Sequence, residues 1–119
     1  MARLQKRNLA KPTEVRSVGR GQLALVELGD TTLGRMRYEP GWRWSEDLKP
    51  LVGGESCQIR HVGVVISGHF HVEMDDGATM ELLPDDVYEI PPGHDGWVVG
   101  DEPAVVIDWY GASGYAKGT

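Results

Sequence analysis

The stretch LPDDVYEIPPG, residues 83–93, places an acidic turn, a short apolar strand and a rigid Pro-Pro-Gly turn in succession. Proline has no amide hydrogen to donate and fixes its own φ angle, so the apolar segment 87–90 is confined to a short strand between two turns. The same alternation of short apolar segments and turn signals continues in both directions along the chain. Strands that recur about every 8–12 residues between turns are typical of an all-β sandwich or barrel.

Working outward, the period-two pattern predicts further strands. The segment 42–55, with two Trp, one Pro and a Gly-Gly pair, predicts a short strand followed by a loop or a single helical turn. Strand 56–66 is the clearest of the set, and its alternation puts Cys57 and His61 on one face. The other predicted strands cover residues 22–28, 31–38, 69–74, 80–83, 97–99 and 104–110.

Length and charge bound the class of protein. A chain of 119 residues fits one domain. We divide it into a polar N-terminal extension, 1–20, a barrel, 21–112, and a C-terminal tail, 113–119. The chain has 12 basic and 18 acidic residues, a net charge of −6, which disfavours a nucleic-acid partner.

The sequence also predicts a compartment. Cys57 is the only cysteine, so no internal disulfide can form and a reducing cytoplasm is the expected location. The basic residues of segment 1–20 lie in a polar stretch that lacks the apolar run of a signal peptide. No segment approaches the roughly 20 apolar residues that cross a bilayer. We therefore expect a soluble protein without a membrane partner.

Residues 56–110 resemble the conserved core of the small cupins. The first cupin motif is similar to HVGVVISG, residues 61–68, and the second is similar to residues 83–93. Fifteen residues, 69–83, separate the two motifs, as in small members of the family. The segment 34–41 is similar to the strand and Pro-Gly that precede the first motif, so the resemblance covers about residues 22–110. It implies a double-stranded β-helix, or jelly-roll barrel, and a homodimer.

The resemblance also implies where a metal would bind. Metal-binding cupins supply two His and a Glu from the first motif and another His from the second. Counted back from the end of the first motif, His61 holds the Glu position and Cys57 the position of the second His. His94 follows the Pro-Pro-Gly turn directly, whereas Gly96 holds the family's usual His position. A shift of two residues keeps the side chain on the same face.

This register implies an interior site of Cys57, His61 and His94, with Glu46 or Glu55 as a fourth ligand or supporting group. Counted forward from Pro-Gly at 40–41 instead, the first pair would fall near 46–49. Thiolate with imidazole favours zinc over magnesium or calcium, and iron oxygenase sites more often use two His and a carboxylate. Many cupins have lost their metal, so a structural role for Cys57 and His61 in the core stays open.

Two other groups of side chains invite a functional interpretation. His69 and His71 form a literal H-x-H pair, but they share the polar face of strand 69–74, which favours a surface position. Trp42 and Trp44 share a face of the short strand after residue 41, where the family has the mouth of its barrel. They are candidates for an aromatic wall against a substrate, and core packing is the alternative.

The sequence leaves three functions open. The first is a metal-dependent enzyme acting on a small polar or carboxylated molecule. The second is a module that binds or senses a small ligand without metal or turnover, and the third is a structural or oligomerisation domain. A barrel of this kind hosts many functions, so the fold does not choose between them. Nucleophile-elbow, phosphate-loop and zinc-ribbon motifs do not occur in the sequence.

Overall fold

The computed structural model describes residues 3–115, which form two antiparallel sheets with short helical turns. The all-β prediction is confirmed. The strands are β1 (Glu14–Ser17), β2 (Gly21–Leu28), β3 (Thr31–Tyr38), β4 (His61–Ser67), β5 (Phe70–Met74), β6 (Thr79–Leu82), β7 (Val87–Ile90), β8 (His94–Val98) and β9 (Ala104–Tyr110).

The two sheets differ in size. Six strands pair in the order β1-β2-β3-β9-β4-β7, and three pair in the order β6-β5-β8. Alternate residues of each strand turn inward, as the burial of Leu23, Leu25 and Met36 on the β2–β3 hairpin shows. The inner faces of the sheets therefore enclose one apolar core. Its fully buried members include Val18, Leu23, Met36, Trp42, Leu48 and Val65.

The predicted strand 56–66 was wrong at its start, because β4 begins at His61. The amide of Cys57 donates to the carbonyl of His94, and the amide of Gly93 donates to the carbonyl of Cys57, both at 2.8 Å. This isolated bridge holds the Cys57 backbone against the turn before β8. The predicted strand 97–99 likewise begins earlier, so that His94 is the first residue of β8.

Segment 42–55 contains no strand of its own. Arg43 forms an isolated bridge with Trp97, and two single helical turns follow, α1 (Trp44–Asp47) and α2 (Lys49–Val52). The Asp47 carboxylate accepts a hydrogen bond from the Arg43 amide at 2.9 Å and so supports the start of α1. The Arg20 guanidinium donates to the same carboxylate at 2.8 Å. The prediction that Trp42 and Trp44 share a strand face was therefore wrong.

Both ends of the described chain pack against the barrel. β1, within the predicted extension 1–20, pairs with β2. After β9 a 3₁₀ turn (Ala112–Gly114) leads to Tyr115, which is buried. The Arg16 guanidinium of β1 donates to the carbonyl of Tyr115 at 2.9 Å. Residues 1–2 of the predicted extension and 116–119 of the predicted tail lie outside the described residues.

Neither α1 nor α2 exceeds a single turn of four residues. Within residues 3–115, no helix is long and apolar enough to cross a membrane.

Candidate metal centre

The three side chains that the resemblance marks as ligands lie together inside the barrel. One donor atom from each of Cys57, His61 and His94 falls within 4.8 Å of the others, and all three residues are buried. His61 and His94 are the first residues of β4 and β8, and the Cys57–His94 bridge fixes the third member beside them. Metal ligands separated by such distances before binding need only small movements to share one ion.

Asp108 orients His61. Its carboxylate lies 2.7 Å from His61 Nδ1, which leaves Nε2 as the ring nitrogen available for a metal. Asp108 itself is fully buried, and its other oxygen accepts the Tyr110 amide at 2.9 Å. Burial raises the pKa of Asp108, while the hydrogen bond from His61 opposes that rise. A carboxylate bonded to the far nitrogen of a histidine is the usual support of a metal-binding imidazole.

Asp108 was not predicted from the sequence, although strand β9 contains a signal for it. Ala104, Val106 and Asp108 share one face of the apolar segment AVVIDWY, residues 104–110. A carboxylate on the inward face of an otherwise apolar strand needs a buried partner, because an isolated buried charge is very costly. That rule alone predicts an interior polar group opposite residue 108.

A backbone carbonyl orients His94. Its Nδ1 lies 2.9 Å from the carbonyl oxygen of Pro91, within the Pro-Pro-Gly turn. Nδ1 therefore carries the hydrogen, and Nε2 is left as the potential ligand. Burial lowers the pKa of His94, so the ring stays neutral, which is the form that binds metals.

Cys57 completes the set with a thiol. Burial raises the pKa of Cys57 to about 11, so the sulfur keeps its proton near neutral pH when no cation is bound. A bound divalent ion deprotonates a coordinating thiol, since the attraction of the ion exceeds the effect of burial. The chemistry of this donor set therefore fits a thiolate-binding metal better than it fits a reactive free cysteine.

Gly96 stands at the position that the resemblance gives to the His of the second motif, and it has no room for a side chain. A side chain added at Gly96 would place its Cβ 2.6 Å from the ring of Phe70, closer than packed atoms approach. Phe70 thus occupies the space that a side chain at position 96 would fill. His94, two residues earlier on the same face of β8, lies beyond that ring.

The carboxylates that the sequence offered as further ligands lie elsewhere. Glu46 and Glu55 are exposed, and they face Arg20 at 3.7 Å and Lys49 at 3.8 Å respectively. The sequence left open whether either one completes the site, and these exposed positions and ion pairs disfavour it. Asp95 accepts hydrogen bonds from Arg43 Nε and from the Ser45 amide, both at 3.2 Å, so its bonds position α1.

The space beside the histidines is small. An inner cavity of about 40 Å³ is bordered by His61 and His94 and by aromatic rings that include Trp42 and Trp44. Such a volume holds a few water molecules and no sugar-sized ligand. Trp42 donates its indole hydrogen to the carbonyl of Val18, and its ring lies 4.2 Å from that of Tyr38. The two tryptophans line the cavity and also pack in the core.

The H-x-H pair, His69 and His71, lies on the outer face of the smaller sheet, away from the candidate metal centre. His69 Nε2 is 2.6 Å from the Glu81 carboxylate, and His71 Nδ1 contacts the same carboxylate. The ring of His71 stacks on Trp97 with centroids 4.4 Å apart. Their side chains keep 33% and 17% of their surface exposed, which agrees with a position on the outer face of the smaller sheet.

The two packed antiparallel sheets agree with the jelly-roll barrel of the cupins. Three solved structures with similar folds support this fold class. A protein of unknown function from Rhizobium leguminosarum is 24% identical with a TM-score of 0.62, and the match covers 92% of this chain and 98% of that one.

The second neighbour, an RmlC-like cupin from Shewanella frigidimarina, is 19% identical with a TM-score of 0.59 and coverage of 92% and 93%. The third, a sugar phosphate isomerase of the cupin superfamily from Silicibacter pomeroyi, is 21% identical with a TM-score of 0.60 and coverage of 87% and 73%. At these identities the likeness establishes the fold. The chain matches no described sequence family and no curated protein.

Proposed function

We propose that this barrel binds one divalent metal ion, zinc in preference to iron, through Cys57, His61 and His94. A small polar or carboxylated molecule then takes the open coordination position. The observation that carries the proposal is the convergence of three buried donors within 4.8 Å. Three protein ligands with a fourth position free is the arrangement of catalytic zinc, whereas structural sites are closed.

Charge balance supports a divalent ion. The Cys57 thiolate and the Asp108 carboxylate together offset the two positive charges of the ion, so the buried group is neutral as a whole. A neutral set avoids the large cost of an uncompensated charge in the core. Imidazole and thiolate ligands favour zinc over magnesium or calcium, and the lack of a carboxylate ligand disfavours an oxygen-activating iron site.

The proposed reaction class follows from the open position. A zinc ion bound there would polarise a carbonyl or a water molecule as a Lewis acid. The chain's own contribution is to hold both imidazoles in one tautomer and to exclude bulk water with the surrounding aromatic rings. One structural neighbour is described as a sugar phosphate isomerase. The inner cavity of about 40 Å³ holds no molecule of that size, so any organic ligand, with or without a metal, must lie mostly outside it.

Metal analysis of protein purified without a histidine tag tests the proposal. We expect wild type to retain a stoichiometric amount of zinc and the variants Cys57→Ala, His61→Ala and His94→Ala to lose it. Added Co²⁺ should give a thiolate charge-transfer band in wild type that Cys57→Ala lacks. His69→Ala with His71→Ala is the matched control, because it removes two histidines from the outer face and should leave the metal content unchanged.

Circular dichroism confirms that each variant is folded before its metal content is compared. Equal zinc in wild type, Cys57→Ala and His61→Ala would exclude the proposed centre. If metal is confirmed, screening carboxylates and sugars for turnover and for thermal shifts would distinguish an enzyme from a sensor.

A further inference from the structure

The wall between the inner cavity and the surface consists of a few side chains. On the far side of that wall lies a groove of about 320 Å³ between α2, the loop 53–59 and the turn after β9. Trp44 and Tyr115 border both spaces, whereas His61 and His94 border only the inner cavity and Cys57 borders only the groove. The three donor atoms nevertheless lie within 4.8 Å of one another. The candidate metal position is therefore located at the wall itself.

Tyr115 is a part of the wall that packs directly on His61. Its ring meets the ring of His61 edge-on with centroids 4.9 Å apart, and its hydroxyl lies 3.3 Å from the hydroxyl of Tyr38. Only 3% of its surface is exposed. A ligand that enters from the groove therefore meets Tyr115 before it meets the imidazoles.

Hydrogen bonds within a short turn and from β1 hold the backbone that carries Tyr115. The Tyr115 amide donates to the Ala112 carbonyl at 3.2 Å, and the Gly114 amide donates to the Gly111 carbonyl at 3.1 Å. The Arg16 guanidinium, on the edge strand β1, donates to the Tyr115 carbonyl at 2.9 Å. A short turn outside the sheet ladder opens at lower cost than a strand does.

The groove has a different chemistry from the cavity. Its walls are mainly apolar, with Leu48, Val52 and Ile59 beside the polar side chains of Ser56 and Gln58. Its volume lies at the lower end of the range for small-molecule sites, about 300–1,000 Å³. It fits a molecule with an apolar body and one polar end, rather than a polyhydroxylated sugar.

We propose that this groove is the binding site for a small carboxylate with an apolar body, and that Tyr115 is the gate between the groove and the metal position. The apolar body lies against Leu48, Val52 and Ile59. The carboxylate reaches the open coordination position when the turn 112–115 moves outward. The choice of ligand rests on the proposed metal centre, whereas the gate does not.

His61 and His94 give a direct test of the gate, because their rings border the inner cavity and not the groove. The rate at which diethyl pyrocarbonate, a small neutral reagent, modifies these two imidazoles is measured on metal-free protein, and peptide mass spectrometry locates the modified residues. We expect Tyr115→Ala to react at least about tenfold faster than wild type, and Arg16→Ala to react faster by a smaller factor. Arg16→Ala keeps the buried ring and so decides the question even if Tyr115→Ala does not fold.

Two matched controls accompany these variants. Leu82→Ala enlarges the inner cavity, since Leu82 lines that cavity and not the groove. Arg37→Ala removes another strand arginine, which pairs with Glu39 at 2.7 Å. Both should react at the wild-type rate. A wild-type rate in Arg16→Ala, or an equal acceleration in Leu82→Ala, would overturn the gate.

The ligand is tested on zinc-loaded protein with benzoate and hexanoate as probes and glucose as the comparison. Calorimetry should detect both carboxylates and not glucose. Val52→Trp fills the groove and should weaken benzoate binding at least about tenfold while zinc content stays unchanged. Leu51→Trp is the matched control, because Leu51 is an exposed neighbour on α2 that does not line the groove.

Benzoate binding that is equal in Val52→Trp and wild type, or absent from zinc-loaded wild type, would overturn the assignment of the groove. If wild type binds no zinc, the proposed function fails. The modification rates of His61 and His94 then still decide the role of Tyr115, since they are measured without metal.

Discussion

Two histidine–carboxylate pairs in this molecule have almost the same geometry and different surroundings. His61 lies 2.7 Å from Asp108 inside the barrel, and His69 lies 2.6 Å from Glu81 on the outer face of the smaller sheet. The side chains of the inner pair are 7% and 0% exposed, and those of the outer pair are 33% and 48% exposed. Hydrogen-bond length alone therefore does not separate a candidate site from a surface contact.

The surroundings decide what each pair contributes. An exposed ion pair is screened by water and contributes little to stability, whereas removal of one partner from a buried pair leaves an unpaired polar group in the core. β8 divides the two environments, since His94 points inward from it and Trp97 stacks against His71 outside. The direction of a side chain on its strand thus matters more than its residue type.

Loss of Asp108, the inner carboxylate, should have the largest effect on stability and on zinc affinity. Asp108→Ala leaves His61 Nδ1 without its partner in the core, and we expect the free energy of unfolding to fall by about 3 kcal/mol. Zinc affinity should fall about 10–100-fold, because the imidazole loses the group that orients it. Denaturant unfolding and competitive zinc titration measure the two effects.

Asp108→Asn is the control for this change, since it keeps the shape and one acceptor oxygen. It should lose less stability than Asp108→Ala and still bind zinc more weakly than wild type. An unchanged unfolding midpoint in Asp108→Ala would show that the buried His61–Asp108 pair does not contribute to the free energy of unfolding.

A side chain added at Gly96 on β8, the strand between the two environments, should have an intermediate effect on the free energy of unfolding. Gly96→Ala places a methyl group against the ring of Phe70, and we expect a loss of about 1–3 kcal/mol from overpacking. Phe70→Leu should cost less in the Gly96→Ala background than in wild type, because the contact is then relieved. Unfolding of the double-mutant cycle measures this coupling.

Gly114→Ala serves as the comparison, since its added Cβ would lie 3.6 Å from Ile59, an ordinary contact. Additive effects of Gly96→Ala and Phe70→Leu would contradict the proposed steric reason for the displaced histidine.

Substitution of Glu81, the outer carboxylate, should have the smallest effect on stability, and the size of that effect should depend on pH. The hydrogen bond from His69 lowers the pKa of Glu81 below its ordinary 4.5. A carboxylate with a lowered pKa in the folded state stabilises the protein above its unfolded pKa, and this contribution disappears as pH falls through the folded value. Glu81→Gln should therefore unfold slightly earlier than wild type at neutral pH and identically in acid.

Unfolding midpoints of wild type and Glu81→Gln at both pH values check this sign. A difference that grows in acid would contradict it, and so would a loss as large as that of Asp108→Ala. Zinc content should not change in either condition relative to wild type, because Glu81 lies outside the barrel.

Strands with clean alternation could be predicted from the sequence, and the others could not. The bounds predicted for β3, β7 and β9 agree with the structure because turn residues flank apolar alternation on each of them. β1 lies in a polar segment, and its place in the sheet depends on pairing with β2 rather than on its own pattern. The late start of β4 within the predicted strand 56–66 has a similar cause, since Cys57 pairs with a turn that is distant in sequence.

The grouping of Cys57, His61 and His94 could be predicted, whereas the groups that orient the two histidines could not; that these residues bind a metal stays a prediction. The resemblance to cupins brought Cys57, His61 and His94 together because the motifs carry register across the chain. Asp108 and the Pro91 carbonyl were not predicted, since which groups face a histidine depends on packing between sheets. The metal, the small-molecule ligand, the cytoplasmic location and the homodimer stay predictions.

The ring of Phe70 over Gly96 has a consequence for the whole interior. Two residues along a strand correspond to about 7 Å, so the backbone of His94 lies about that far along β8 from position 96. The middle of the barrel is filled by the neighbouring rings of Tyr38, Trp42 and Phe70. These rings line the same inner cavity as His61 and His94, so a substitution that loosens the core also changes the surroundings of the candidate centre.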